Sequence, residues 1–160
     1  MVNCSYKHVL SFISKQNRHI VVRMPIELKY NKKLNYLLIV AKGHPTTEEA
    51  DRGMDEICNS GEMPANVNSL LDMRELLFDH IDFEYLNRFV KIRKKYDKQR
   101  GMAKVALLSG STLAAPLIKL FTILSRDLSQ RLQVFKSVEE AELWLCEEMF
   151  NKSGTVKKLN

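Results

Sequence analysis

The sequence predicts an α/β fold: a single layer of mixed, mainly parallel β-sheet with about four helices. Three observations predict it. Short apolar runs at residues 36–41, 105–108 and 132–135 alternate with longer segments of helical spacing. Two of those segments open on a hydroxyl followed by glutamate three residues later, Thr46 with Glu49 and Ser137 with Glu140, the reciprocal cap that satisfies two orphan amides. Strands separated by helices require crossover connections, and so parallel pairing.

The elements follow in order. Residues 1–28 read as a hairpin. Val9, Phe12 and Ile13 precede the polar Gln16-Asn17-Arg18, and Ile20-Val21-Val22 and Met24 follow. Pro25 ends or bends the second strand, because proline cannot donate to a ladder. Residues 26–33 are ambiguous. Residues 36–41 form a buried strand bounded by Asn35 and by Gly43-His44-Pro45. A helix over 47–59 carries Ala50, Met54, Ile57 and Cys58 on one face and ends at Gly61. Residues 67–73 form the next strand, centred on Leu70-Leu71.

Asp82 then caps a helix whose inward stripe is Phe83, Leu86, Phe89 and Val90. Its opposite face is basic, with Arg88, Lys91, Arg93, Lys94, Lys95 and Lys98, and Gly101 stops it. Lysines near its end complement the helix dipole. After the strand at 105–108, a very apolar helix spans 113–128, with Pro116 tolerated in its first turn. Its inward stripe is Leu113, Leu117, Leu120, Phe121 and Leu124, which leaves Ile118 and Ile123 pointing elsewhere. The last helix turns Val138, Ala141, Trp144, Leu145 and Met149 inward. The order is β-β-β-α-β-α-β-α-β-α. It makes one domain over residues 1–150, with a flexible basic tail at 151–160.

Composition bounds the function. The chain has 160 residues, 45% hydrophobic and 28% charged, enough for an unstapled core. Its longest uncharged stretch, residues 105–118, is too short to span a membrane. No secretion signal is expected. Cys4, Cys58 and Cys146 are odd in number and lack CxxC spacing, which predicts free thiols in a cytoplasmic protein rather than disulfides or a zinc site. The formal charge of +6 would steer acidic partners without selecting one.

Three segments carry a resemblance. Leu70-Leu71-Asp72-Met73-Arg74-Glu75-Leu76 is similar to "vlvDlrgl" of the STAS superfamily. Val105-Ala106-Leu107-Leu108 precedes an apolar helix, as it does there. Residues 134–145, from Val134-Phe135-Lys136-Ser137 to Leu143-Trp144-Leu145, are similar to "vFrsleeAlaWL". Over residues 9–145 the chain resembles the SpoIIAA-like branch of that superfamily, related in fold to CRAL-TRIO lipid-binding domains. The resemblance implies a STAS-like binding or regulatory module. Signalling members are phosphorylated on a serine. In the nearest stretch here, His80-Ile81-Asp82-Phe83-Glu84, Phe83 stands in its place and cannot take phosphate. An anti-sigma factor antagonist role is therefore not implied.

The expected site is a rim at the carboxyl ends of the parallel strands. It is formed by Ser109-Gly110-Ser111-Thr112, His44, and the loop from Arg74 through His80 to Phe83. Helix amides there would take an anion and the apolar helix a carbon surface. The plain reading of the Ser109–Thr112 run is a turn with a capping hydroxyl. Ile118, Ile123, Lys91, Lys94 and Lys95 are candidates for a surface that meets a protein partner, a second copy or an anionic membrane. Nucleic acid is not expected, because apart from Phe89 on the inward stripe Tyr96 is the sole aromatic in the basic stretch. The function expected is non-enzymatic recognition of a protein partner or of an apolar or anionic small ligand. No catalytic residue, metal or cofactor is expected. The enzymatic alternative uses His80 as a base oriented by Asp79 or Asp82.

Overall fold

The computed structural model describes residues 25–148. Five strands run in sequence order across one sheet: β1 (Ile26–Asn31), β2 (Tyr36–Gly43), β3 (Asn68–Leu76), β4 (Lys104–Leu108) and β5 (Arg131–Phe135). β1 pairs antiparallel with β2, and the other three pairings are parallel. The helices are α1 (Thr47–Asn59), α2 (Phe83–Lys95), the single turn α3 (Asp97–Arg100), α4 (Ala115–Leu124) and α5 (Val138–Leu145). The hairpin expected before Pro25, Met149 and the tail at 151–160 lie outside the described residues. The antiparallel neighbour at the sheet edge is built by the ambiguous segment that follows Pro25. A turn joins it to β2, in which Asn35 takes φ 48° and the Asn31 side chain accepts from the Leu34 amide at 3.0 Å.

Sequential strand order decides where the helices go. Each right-handed crossover steps one strand in the same direction, so the crossover helices α1, α2 and α4 share one face of the sheet. α5 follows the last strand, crosses back to nothing and packs on the opposite face. Side chains of β3 and β4 alternate accordingly. Leu70, Ala106 and Leu108 meet Phe135, Ala141 and Leu145 on the α5 side. Met73, Val105 and Leu107 meet Leu86, Ile118 and Phe121 on the other. β4 is buried along its whole length, as a strand covered on both faces must be.

Polar contacts fix the ends. The Thr46–Glu49 reciprocal cap forms as expected, and Asp82 caps α2 by accepting from the Tyr85 amide at 2.7 Å. Ser137 caps α5 by accepting from the Glu140 amide at 3.3 Å. Gly61 (φ 74°) and Gly101 (φ 51°) follow α1 and α3 with backbone angles that favour glycine. The Lys104 ammonium, almost wholly buried, donates to the Trp144 carbonyl at 2.9 Å and to Glu147 at 3.1 Å, tying β4 to the end of α5. The Tyr36 hydroxyl donates to Glu142, and burial with that carboxylate pushes it up to about 12.

Several expectations on the helices are corrected. The apolar helix runs over Ala115–Leu124 and not 113–128, so Leu113 precedes it and is 90% exposed rather than inward. Ile118 is 7% exposed and belongs to the core, one turn from Phe121. Phe83, the first residue of α2, is 60% exposed, because the inward stripe begins at Leu86. Arg93 is buried rather than part of the basic face.

Leu70 is 1% exposed beneath α5, whereas Leu143 on the outer side of α5 is 63% exposed. Leu70→Ala should lower the unfolding free energy by roughly 2–5 kcal/mol. Leu143→Ala should change it by less than about 0.5 kcal/mol. Urea denaturation measures both, and equal effects would contradict the placement of α5.

Candidate functional site

The face carrying α1, α2 and α4 does not close on the sheet. A cavity of about 140 Å³ lies between them. Ile39, Leu71 and Leu107 line it from the sheet, and Ala50, Leu86 and Ile118 from the helices. Pro45, Phe78, Ile81 and Tyr85 border it near the carboxyl ends of β2 and β3. Ser69, Arg93, Arg100 and Gln130 border it near the amino ends of β3, β4 and β5.

The amino end is the unusual one. Arg93 on α2 is 4% exposed and Arg100 on α3 is 2% exposed. The Arg93 guanidinium donates to the Ser125 hydroxyl and to the Gln130 side-chain carbonyl, both at 2.9 Å, and lies 5.2 Å above the Phe121 ring. The Arg100 guanidinium donates to the Ala65 carbonyl and to the Ser69 hydroxyl, both at 2.7 Å. All four partners are neutral. Burial, with Arg100 nearby, lowers the Arg93 guanidinium to about 10, and burial also lowers Arg100. Both remain cations at neutral pH. The Gln130 side-chain nitrogen is buried without a hydrogen-bond partner among the described residues.

At the carboxyl end two histidines converge. His44, just past β2, meets the Asp79 carboxylate at 2.8 Å through Nε2. His80 stands edge-on to His44 at 4.8 Å and to Tyr85 at 5.3 Å between ring centroids. Its Nε2 lies 3.3 Å from the Pro45 carbonyl, which also accepts from the Tyr85 hydroxyl at 2.8 Å. Its Nδ1 is buried without a partner among the described residues. Neither expected carboxylate orients His80: Asp79 is taken by His44 and Asp82 by the α2 cap. The ligand atoms of His44, Asp79 and His80 lie within 4.8 Å of one another, so these three could hold a divalent ion if the His44–Asp79 hydrogen bond opened.

The rim divides between the two faces. Arg74 continues the Leu70, Asp72 alternation that faces α5. It grips Asp72 two residues back, with contacts of 2.9 Å from Nε and 2.7 Å from Nη2. That pairing holds the Asp72 carboxyl below the usual carboxylate range. Arg74 also passes Gly110, where an added Cβ would lie 3.8 Å from Arg74 Cγ. Ser109-Gly110-Ser111-Thr112 therefore adjoins Arg74. The run does not supply a helix cap, because α4 begins later, after Ala114, with no side-chain cap and with Pro116 in its first turn. Phe83 is exposed and lies outside the cavity lining. On the candidate partner surface, Ile123 is 50% exposed. Lys91, Lys94 and Lys95 are exposed too, and Lys95 pairs with Asp51 at 3.0 Å. Cys58 and Cys146 are free thiols, as expected, and Cys4 lies outside the described residues.

No described family matches this chain, and no curated protein does. A solved structure does: an uncharacterized protein from the DUF3478 family with a SpoIIAA-like fold, from Shewanella loihica PV-4. The two are 20% identical, the match covers 76% of this chain and 92% of that one, and the TM-score is 0.53. The chain has a SpoIIAA-like fold. The resemblance carried by the segments around Asp72, Val105 and Trp144 thus holds at the level of the backbone. In this SpoIIAA-like chain no helix among the described residues is long and apolar enough to cross a membrane.

The hydrogen bond from His44 holds the Asp79 carboxyl below the usual carboxylate range. A carboxylate with a lowered folded value stabilises the fold above its unfolded value, and that contribution disappears as pH falls through the lowered one. Carbon-detected NMR titration should therefore find Asp79 titrating below its ordinary range, and His44→Ala should return it there. An unchanged titration in the variant would show that the contact does not persist in solution.

Proposed function

We propose that this SpoIIAA-like chain is a non-enzymatic binding module that holds an apolar small ligand between its sheet and the layer formed by α1, α2 and α4. The cavity of about 140 Å³ carries this reading. Apolar voids are costly. At about 24 cal/mol per Å³, one of this size forgoes roughly 3 kcal/mol of packing. That is a large share of the 5–15 kcal/mol that typically separates folded from unfolded states. The other face of the same sheet is closed by ordinary packing, with Leu70, Ala106 and Leu108 each at most 1% exposed, so the topology does not force a void. An engineered apolar cavity of about 150 Å³ stays dry and takes up benzene, which sets the scale of ligand admitted here.

Recognition without chemistry also fits the polar groups. His80 contacts a backbone carbonyl and two rings, and no carboxylate or nucleophile is within hydrogen-bonding reach of it among the described residues. A general base needs a proton to abstract within that reach and a partner to orient it.

Benzene is the simplest probe. Titrated into the protein, it should shift amide resonances of Leu71, Leu86 and Leu107 in NMR spectra and leave the α5 side unchanged. Ala50→Leu, which pushes a larger side chain into the cavity from α1, should weaken benzene binding by about tenfold or more. Shifts scattered over the surface, or none, would refute the reading.

A further inference from the structure

We propose that the Arg93–Arg100 end of the cavity binds the carboxylate of an apolar monocarboxylic acid, whose hydrocarbon part lies along the apolar walls. The inference rests on the cavity being a ligand site and names the class of ligand.

Charge accounting is its first support. The chain contains 19 Asp and Glu, and all of them fall within residues 25–148; residues 1–24 and 149–160 contain none. The structure therefore describes every acidic side chain. Arg74, Arg88 and Arg126 each form an ion pair with one of them, and Arg93 and Arg100 form none. The acid that acts on Arg93 from a distance is Asp97, but its two oxygens accept from the Ser129 amide and hydroxyl, both at 2.9 Å. The Cys58 thiol faces Arg100 and is kept protonated by burial. Two buried cations thus stand beside an apolar cavity with no anion in contact among the described residues. Buried charges are ordinarily paired, since an isolated one forgoes its hydration without return.

Donor geometry is the second. Each guanidinium has N–H groups beyond the two that its hydrogen bonds use. Gln130, itself 6% exposed, accepts from Arg93 through its oxygen, which leaves its NH₂ with nothing to donate to among the described residues. Guanidinium and amide donors are what a planar carboxylate accepts from. The cavity surface exposes almost no polar atoms even at this end, so a carboxylate seated there draws guanidinium N–H groups round to it, and an anion without a hydrocarbon part would lose its water for little along the rest of the walls. An acid with a hydrocarbon chain or ring matches both parts.

Calorimetric titration of the full chain with octanoate and with 1-octanol separates this inference from the one beneath it. Octanoate should bind about tenfold to hundredfold more tightly, the range of a charge-assisted hydrogen bond. Arg93→Gln should remove that preference and leave 1-octanol binding unchanged, and Arg93→Lys should restore part of it. The wild-type comparison stands even if a variant does not fold. Equal affinity for the two would overturn the carboxylate site while leaving the apolar cavity in place. Binding of neither would overturn both.

Discussion

Two guanidiniums buried in a core with no acidic side chain beside them set the terms for this molecule. Arg93 joins the end of α2 to the segment that follows α4, through Ser125 and Gln130. Arg100 joins α3 to the approach to β3 and to β3 itself, through Ala65 and Ser69. Together they anchor the helix layer to the amino ends of the strands. Neutral acceptors and the face of Phe121 satisfy part of each cation, and none of them supplies a negative charge. The fold therefore depends on hydrogen bonds that hold positive charge inside rather than cancel it.

The two faces of the sheet differ in how they are covered. On one, a single helix lies across β3 and β4 and the packing is ordinary. On the other, the sequential strand order gathers three crossover helices, and the side chains pointing at the sheet change character along its length. Leu86, Ile118 and Phe121 are apolar, whereas Arg93 and Arg100 at the far end are cations bonded to neutral acceptors. Both guanidiniums are buried all the same, held by neutral acceptors where the helix layer meets the amino ends of the strands, and the cavity lies beside them.

Much of the architecture was legible in the chain. The boundaries of α1, the caps at Thr46, Asp82 and Ser137, and the parallel order of β2 to β5 follow from local chemistry that tertiary packing did not override. Ile26–Asn31 was not legible, because a short edge strand with Lys and Glu carries little periodic signal. A stripe anchored on Leu113 leaves Ile118 outward; Leu113 precedes the helix, and the buried residues Ala114, Ile118, Phe121 and Ser125 keep helical spacing from one residue later. The site was read only at its rim. His44 and His80 do meet, but their pairing across two loops rests on where β2 and β3 end. Arg93 and Arg100 had a signal that charge concealed. Arg93 stands seven residues after Leu86, on its helical stripe, and four after Phe89; Arg100 continues the same seven-residue spacing into the turn that follows. A basic residue on an apolar stripe reads as surface unless the stripe is followed through it. The cavity itself had no signal, since it is a difference between side-chain volumes and backbone spacing.

A crystal structure of the chain grown with octanoate would test the account most directly. It predicts the acid lying between the sheet and α2, with carboxylate oxygens about 2.7–2.9 Å from guanidinium nitrogens of Arg93 or Arg100. A cavity without octanoate, or octanoate with its carboxylate turned toward His80 and Tyr85, would contradict it.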